Sequence, residues 1–146
     1  MVSQLLGGKF DDQKIGPTKF DFADIGILYP AHRNREALIT EALIPKLKVE
    51  CNAPVVWISD PKGANRSDFS SAIRVQTIHH AKGLQYRAVI FMWADLLPFA
   101  HDVEQDRNLF YVALTRATEL LAIVHSGQSS FVAEAYAAIE KKLTIG

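Results

Sequence analysis

Apolar residues along the chain fall into short blocks divided by polar stretches that carry glycine and proline, and the length of each block assigns it. Ile25 to Tyr29 (IGILY) is a continuous apolar run of strand length, suited to a strand covered on both faces. Pro30 stops it, because proline brings no N–H to a sheet ladder. The period then changes. Asn34 is a candidate helix N-cap, Glu36 falls in the first turn where a negative charge suits the dipole, and Leu38, Ala42 and Leu43 recur at helical spacing. Pro45 is expected to close that helix, since it removes a donor and restricts the residue before it. Val55 to Ser59 is a second strand candidate, and residues 60–72, rich in Pro, Gly, Asn and Ser, read as a loop.

Ile73 to Ile78 is the next expected strand. After a polar break comes Ala88 to Ala94 (AVIFMWA), the most continuous apolar run in the chain. Asp106 to Thr115 reads as a helix with Leu109, Val112, Ala113 and Arg116 along one side. Leu120 to Val124 is another short strand, and Ser130 is a candidate cap for a last helix, Phe131 to Leu143, with Phe131, Ala135 and Ala138 on a stripe. Strands alternating with helices predict an α/β domain with a mainly parallel sheet and helices on both faces. Residues 1–20, with Gly7, Gly8, Gly16 and Pro17 and little periodicity, read as an irregular N-terminal arm or the cut end of a larger protein. Residues 21–146 form the predicted domain.

Composition narrows this picture without deciding function. The 146 residues are 49% hydrophobic and 22% charged, enough for a real core in one domain. Sixteen basic and sixteen acidic residues balance, so overall charge does not argue for nucleic acid, and any such contact must be local. The single cysteine, Cys51, excludes an internal disulfide framework and suits a reducing compartment. No apolar run is long enough to cross a bilayer, and Met1 to Phe10 lacks a secretory pattern, so a soluble, cytoplasmic protein with no membrane partner is expected. The histidines at 32, 79, 80, 101 and 125 show no metal-ligand spacing, and no metal site is expected.

Two segments carry candidate chemistry. In Val75 to Ile90 (VQTIHHAKGLQYRAVI) a strand ends, a polar turn follows and an apolar strand resumes. Ligands of open α/β sheets sit beyond the carboxyl ends of strands, which draws attention to Thr77, His79, His80, Lys82 and Gly83. Gly83 permits close approach or a positive φ, and Lys82 is a point charge for phosphate. A solvated turn is the competing reading. In Arg107 to Ala117 (RNLFYVALTRA) a buried helix ends in Thr115 and Arg116. Arginine on a core-facing side needs an anion, and its planar fork suits phosphate. Capping the last carbonyls of the helix would serve equally. Trp57 and Trp93 are expected in the core, Tyr86 is the better candidate for a surface role, and Tyr111 is expected to pack at the helix base.

The stretch TIHHAKGLQYRAVIF resembles motif V of UvrD/Rep-type superfamily 1 helicases, T-x-H-x-A-K-G-L-E-F-x-x-V, and LFYVALTRATELLAI resembles their motif VI, L-x-Y-V-A-x-T-R-A. ADIGILYPAHRNREALITEAL is similar to the opening of the second motor lobe in that family. The three cover residues 23–50 and 75–125, in family order. The resemblance implies a RecA-like (P-loop NTPase-type) lobe of an ATP-dependent DNA helicase, one of two between which ATP and Mg2+ are held, walking on single-stranded DNA. The interval from Leu47 to Val75 leaves no room for an accessory-domain insertion. Arg116 matches the arginine that reaches the γ-phosphate across the lobe interface, a role worth about 10³–10⁵ in rate. Gly83 and Gln85 match nucleotide-facing positions, with Gln85 standing where the family has Glu against the ribose. Thr77, His79, His32 and Lys82 match or neighbour positions along the DNA backbone; Pro30 and His32 depart from the usual Arg and Asn. The pattern G-x-x-x-x-G-K-[ST] does not occur, so ATP is expected to be bound mainly by an N-terminal motor lobe and the isolated chain to be inactive. The alternative is a DNA-binding or scaffolding module that kept the lobe and lost catalysis.

Overall fold

The computed structural model describes residues 11–12, 16–17, 20–30, 36–59, 71–98 and 103–145. In the arm, β1 (Asp11–Asp12) and β2 (Gly16–Pro17) make a short antiparallel pair. Five strands form the main sheet: β3 (Ile25–Tyr29), β4 (Val55–Trp57), β5 (Ile73–Thr77), β6 (Tyr86–Phe91) and β7 (Ala117–Ile123). Every pairing among them is parallel, in the order β4-β5-β3-β6-β7. The central strand β3 is the IGILY run, and all five of its residues are buried, as a strand covered on both sides requires.

Alternation along β3 sorts the core into two faces. Ile25, Ile27 and Tyr29 join Ile73, Val75, Ala88 and Ile90 in a cluster closed by Ile39 and Leu47 of the first helix. Leu28 joins Val89 and Phe91 in a second cluster closed by Leu109, Phe110 and Ala113 of α2 (Val103–Leu114) and by Phe131 and Val132 of α3 (Ser130–Ile145). The sheet is thus clad by helices on both faces, the α/β architecture predicted. Ring stacks of edge-to-face geometry join Phe91 to Phe110 at 5.1 Å and Phe110 to Phe131 at 5.5 Å, tying sheet, α2 and α3 together.

The first helix does not stop at Pro45. It runs through Glu36–Leu38, a π-helical stretch Ile39–Leu43, and Ile44–Glu50, together α1 (residues 36–50). The wider π turn absorbs the proline: the Ile44 N–H reaches back five residues to the Ile39 carbonyl, so the register changes just before the missing donor of Pro45. Asn34 and the 60–70 part of the expected loop lie outside the described residues. At the other end of the chain Ser129, rather than Ser130, caps α3, its Oγ accepting from the Val132 N–H at 3.2 Å.

The β6 strand is shorter than its apolar run. The Met92 N–H donates to the Leu28 carbonyl at 2.8 Å, after which Trp93 turns into the left-handed region (φ 55°) and a 3₁₀ turn begins at Ala94. Trp93 therefore packs edge-to-face on Tyr29 at 5.9 Å from outside the strand, and Trp57 donates its Nε1–H to the Tyr29 hydroxyl at 2.8 Å. Both tryptophans are half-buried at the margin of the first cluster, not inside it.

The connection from β5 to β6 positions the site. Parallel neighbours of β3 on opposite sides are joined by only residues 78–85, where a dozen or more residues and a helix are usual. A single 3₁₀ turn, His79–Ala81, takes the helix's place. Ile78 and Ala81 bury themselves in the second cluster, so this crossover is laid over the α2 face of the sheet and runs from the carboxyl edge to the amino edge.

Candidate functional site

The amino edge is built where α2 runs out. Thr115 donates its hydroxyl to the Tyr111 and Val112 carbonyls at 3.1 Å each, closing the last turn. Arg116 follows at the first residue past that turn. Its Nε donates to the Val112 carbonyl at 3.2 Å, one Nη to the Thr115 hydroxyl at 3.1 Å, and the other Nη to the Leu84 carbonyl at 3.4 Å. Its own carbonyl accepts from the Tyr86 N–H at 2.9 Å. The residue is thus stitched to the end of the crossover by backbone and side chain alike. All of its guanidinium partners are neutral, and among the described residues no carboxylate pairs with it. Its charge is available to an anion, although the helix-capping role is also realised.

Beside it lie exposed Gly83, Leu84 and Gln85. Gly83 has φ +81°, and a Cβ built there would meet nothing within 4 Å. The glycine is needed for its backbone conformation, and the space beside it is open.

The carboxyl edge holds the other expected residues. Thr77 ends β5, exposed His79 and His80 follow it, and exposed Lys82 lies further along the crossover beside Gly83. His79, Lys82, Gln105, Asp106, Asn108 and Val112 line a cleft of about 310 Å³ between the crossover and α2. The His79 imidazole is held below its ordinary value of 6.5, first by burial and then by the charges of Lys82 and His80; near neutral pH it offers a hydrogen bond rather than a charge. Ser59, just past β4, was not among the residues singled out from the sequence. Its Oγ accepts from the Thr77 N–H at 2.9 Å and lies 2.5 Å from His80 Nδ1. No local pattern marks a lone serine at a strand end; only the β4–β5 pairing brings it to Thr77.

The expected residues therefore divide between two edges. Thr77 and His79 lie at the carboxyl end of β5, but Gly83 and Gln85 sit at the opposite end of the sheet, because the crossover carries them there. His32 lies outside the described residues. Tyr86, expected at the surface, is buried with its ring against Gly26 and its hydroxyl bonded to the Gln76 amide. Tyr111, expected to pack, is 66% exposed, since Phe110 takes the inward position. No group of three or more His, Cys, Asp or Glu that could hold a metal occurs among the described residues, and no described helix is long and apolar enough to cross a membrane.

Residues 72–124 match the family model of the UvrD-like helicase C-terminal domain. The ATP-dependent DNA helicase PcrA of Staphylococcus aureus is 32% identical over 72 residues, covering 42% of this chain and 10% of that protein. PcrA of Staphylococcus epidermidis is 33% identical over the same length and shares. The matched part of the chain thus spans about a tenth of these relatives. Among solved structures, the C-terminal domain of a possible DNA helicase from Lactobacillus plantarum WCFS1 superposes with a TM-score of 0.53 at 26% identity, covering 73% of this chain and 58% of that one.

Proposed function

Taking as premise that the chain carries a UvrD/Rep-like helicase C-terminal lobe, we propose that it serves as the second motor lobe of an ATP-dependent DNA translocase. The observation that carries this reading is Arg116: a guanidinium with only neutral partners, beside the open backbone at Gly83. In this role the chain's own residues act as follows. Arg116 swings from the Val112 and Leu84 carbonyls to a γ-phosphate held mainly by an N-terminal motor lobe, which supplies Mg2+ and the phosphate loop. Gly83 lets the backbone approach the nucleotide, and Gln85 hydrogen-bonds the ribose. Thr77 and His79 on the other edge, with Lys82 of the crossover and with His32, position a single-stranded DNA backbone without reading sequence. Hydrolysis requires the partner lobe, so the isolated chain turns over no ATP.

The test is single-stranded-DNA-stimulated ATP hydrolysis by the protein that joins this chain to its N-terminal lobe. Arg116→Ala is expected to lower the rate by about a hundredfold or more while circular dichroism is unchanged. An unchanged rate would mean that Arg116 only caps α2. That outcome favours the second reading, a non-catalytic DNA-binding or scaffolding module, which the capping bonds of Arg116 and the uncharged Gln85 support.

A further inference from the structure

We propose that Ser59 is a positioning residue for phosphodiester binding at the carboxyl edge, acting through His80 and Thr77. The inference rests on the single-stranded DNA reading above. Edge strand β4 pairs with β5 only as far as Trp57, and the Ile58 N–H donates to the Val75 carbonyl at 2.8 Å. In a regular parallel ladder the Thr77 N–H would next meet a main-chain carbonyl of β4. It meets Ser59 Oγ at 2.9 Å instead. A serine side chain completes the ladder, and one acceptor site of its oxygen is committed to a main-chain donor.

The serine has one proton to give. Thr77 Oγ1 stands at 3.4 Å and His80 Nδ1 at 2.5 Å, and we assign the proton to the ring, the nearer partner. That makes Nδ1 an acceptor and puts the proton of the neutral imidazole on Nε2. His80 is exposed, and Nε2–H is its one remaining ring donor. Thr77 Oγ1 accepts from the His80 N–H at 3.4 Å, and its own proton is not used by that contact. The result is two oriented neutral donors, the Thr77 hydroxyl and His80 Nε2–H, close in sequence to the Lys82 ammonium. A phosphodiester, which only accepts hydrogen bonds and carries one negative charge, fits this set. A base edge, which needs matched donors and acceptors, does not.

The experiment uses the 146-residue chain, a fluorescein-labelled oligothymidylate followed by anisotropy, and long-range proton–nitrogen NMR of the imidazoles. The wild-type His80 ring is expected as the Nε2–H tautomer, with resonances that move on oligonucleotide addition. Ser59→Ala should mix the tautomers and weaken binding by about tenfold, the scale of one oriented bond to a charged group. Ser59→Thr, which keeps the hydroxyl, should restore both. On a His80→Ala background Ser59→Ala should cost clearly less than it does with His80 present, a non-additivity that a merely structural serine would not produce. Binding by Ser59→Ala equal to wild type, or an Nδ1–H tautomer in the wild type, would overturn the role of Ser59 and leave the DNA reading standing. No binding by the wild-type chain would remove the DNA reading and this inference with it. Should Ser59→Ala lose its fold, His80→Ala, which removes the ring donor, carries the same comparison: wild-type affinity in that variant would sink the proposal.

Discussion

Tyr86 lies flat against Gly26, so closely that a Cβ at position 26 would stand 2.5 Å from its Cδ2 and 2.8 Å from its Cγ. The glycine belongs to the central strand and the tyrosine opens the next one, and the ring fills the space that a side chain at 26 would claim. The tyrosine hydroxyl reaches the Gln76 amide, the one buried polar side chain among the described residues, and the Arg74 guanidinium stacks 5.8 Å from the ring. Burial raises the Tyr86 pKa, so the phenol stays protonated and meets the Gln76 amide as a neutral hydroxyl. Gly26→Ala must displace the ring and is expected to cost about 1–3 kcal/mol, the usual scale of overpacking. Urea unfolding of the variant would measure it, and a loss below a few tenths would mean that the ring moves freely.

Phe110 and Tyr111 are adjacent on α2 and face opposite ways, 5% and 66% exposed. Phe110→Ala removes a ring packed between Phe91 and Phe131 and should cost about 3–5 kcal/mol. Tyr111→Ala should fall within about 0.5 kcal/mol of wild type, as exposed substitutions do. Equal costs, measured by thermal or denaturant unfolding, would contradict this orientation of the helix.

Gly83 needs its backbone rather than its lack of bulk. Gly83→Ala places a side chain in open space but at φ +81°, and the strain is expected to cost about 1–2 kcal/mol. Asn, which visits that region more readily, should cost less. If Ala and Asn cost the same in unfolding experiments, the conformational account fails.

His79 should make stability depend on pH. Its folded-state pKa lies below the unfolded value of 6.5, chiefly through burial. The unfolded chain therefore takes up the proton first as pH falls. Stability is full above about pH 6.5, declines as pH drops through the folded-state pKa, and then levels off. His79→Gln should flatten that part of the profile. Urea midpoints for both proteins between about pH 8 and 5 would show it, and parallel curves would count against the lowered His79 pKa.

Gln85→Glu introduces a charged acceptor at the position proposed to meet the ribose. Joined to the N-terminal lobe proposed above, the variant is expected to lower KM for ATP by about fivefold, the scale of one charge-assisted bond. The gain should vanish with an ATP analogue lacking the ribose hydroxyls. The same gain with both nucleotides would place Gln85 elsewhere.

Much of the fold was legible because burial leaves a local imprint. IGILY reads as a doubly covered strand since neither face of β3 meets water, and alternating strand and helix lengths are enough to predict a parallel α/β sheet. The residues of both motifs could likewise be named from their order along the chain. Tertiary structure decided what no local period records. Pro45 did not end α1, because a π turn moved the missing donor out of the hydrogen-bond register. Tyr86 went inward because Gly26, sixty residues earlier in the chain, leaves a hollow for its ring. Ser59 acquired a role only when β4 was laid beside β5. Gly83 and Gln85 parted from Thr77 and His79 because an eight-residue crossover spans the sheet from one edge to the other. Hydrophobic spacing reports whether a residue is covered, since that depends on its nearest neighbours along an element. Which edge it faces, and which distant residue it meets, depends on strand order and connection path, and these are settled by the packing of the whole sheet.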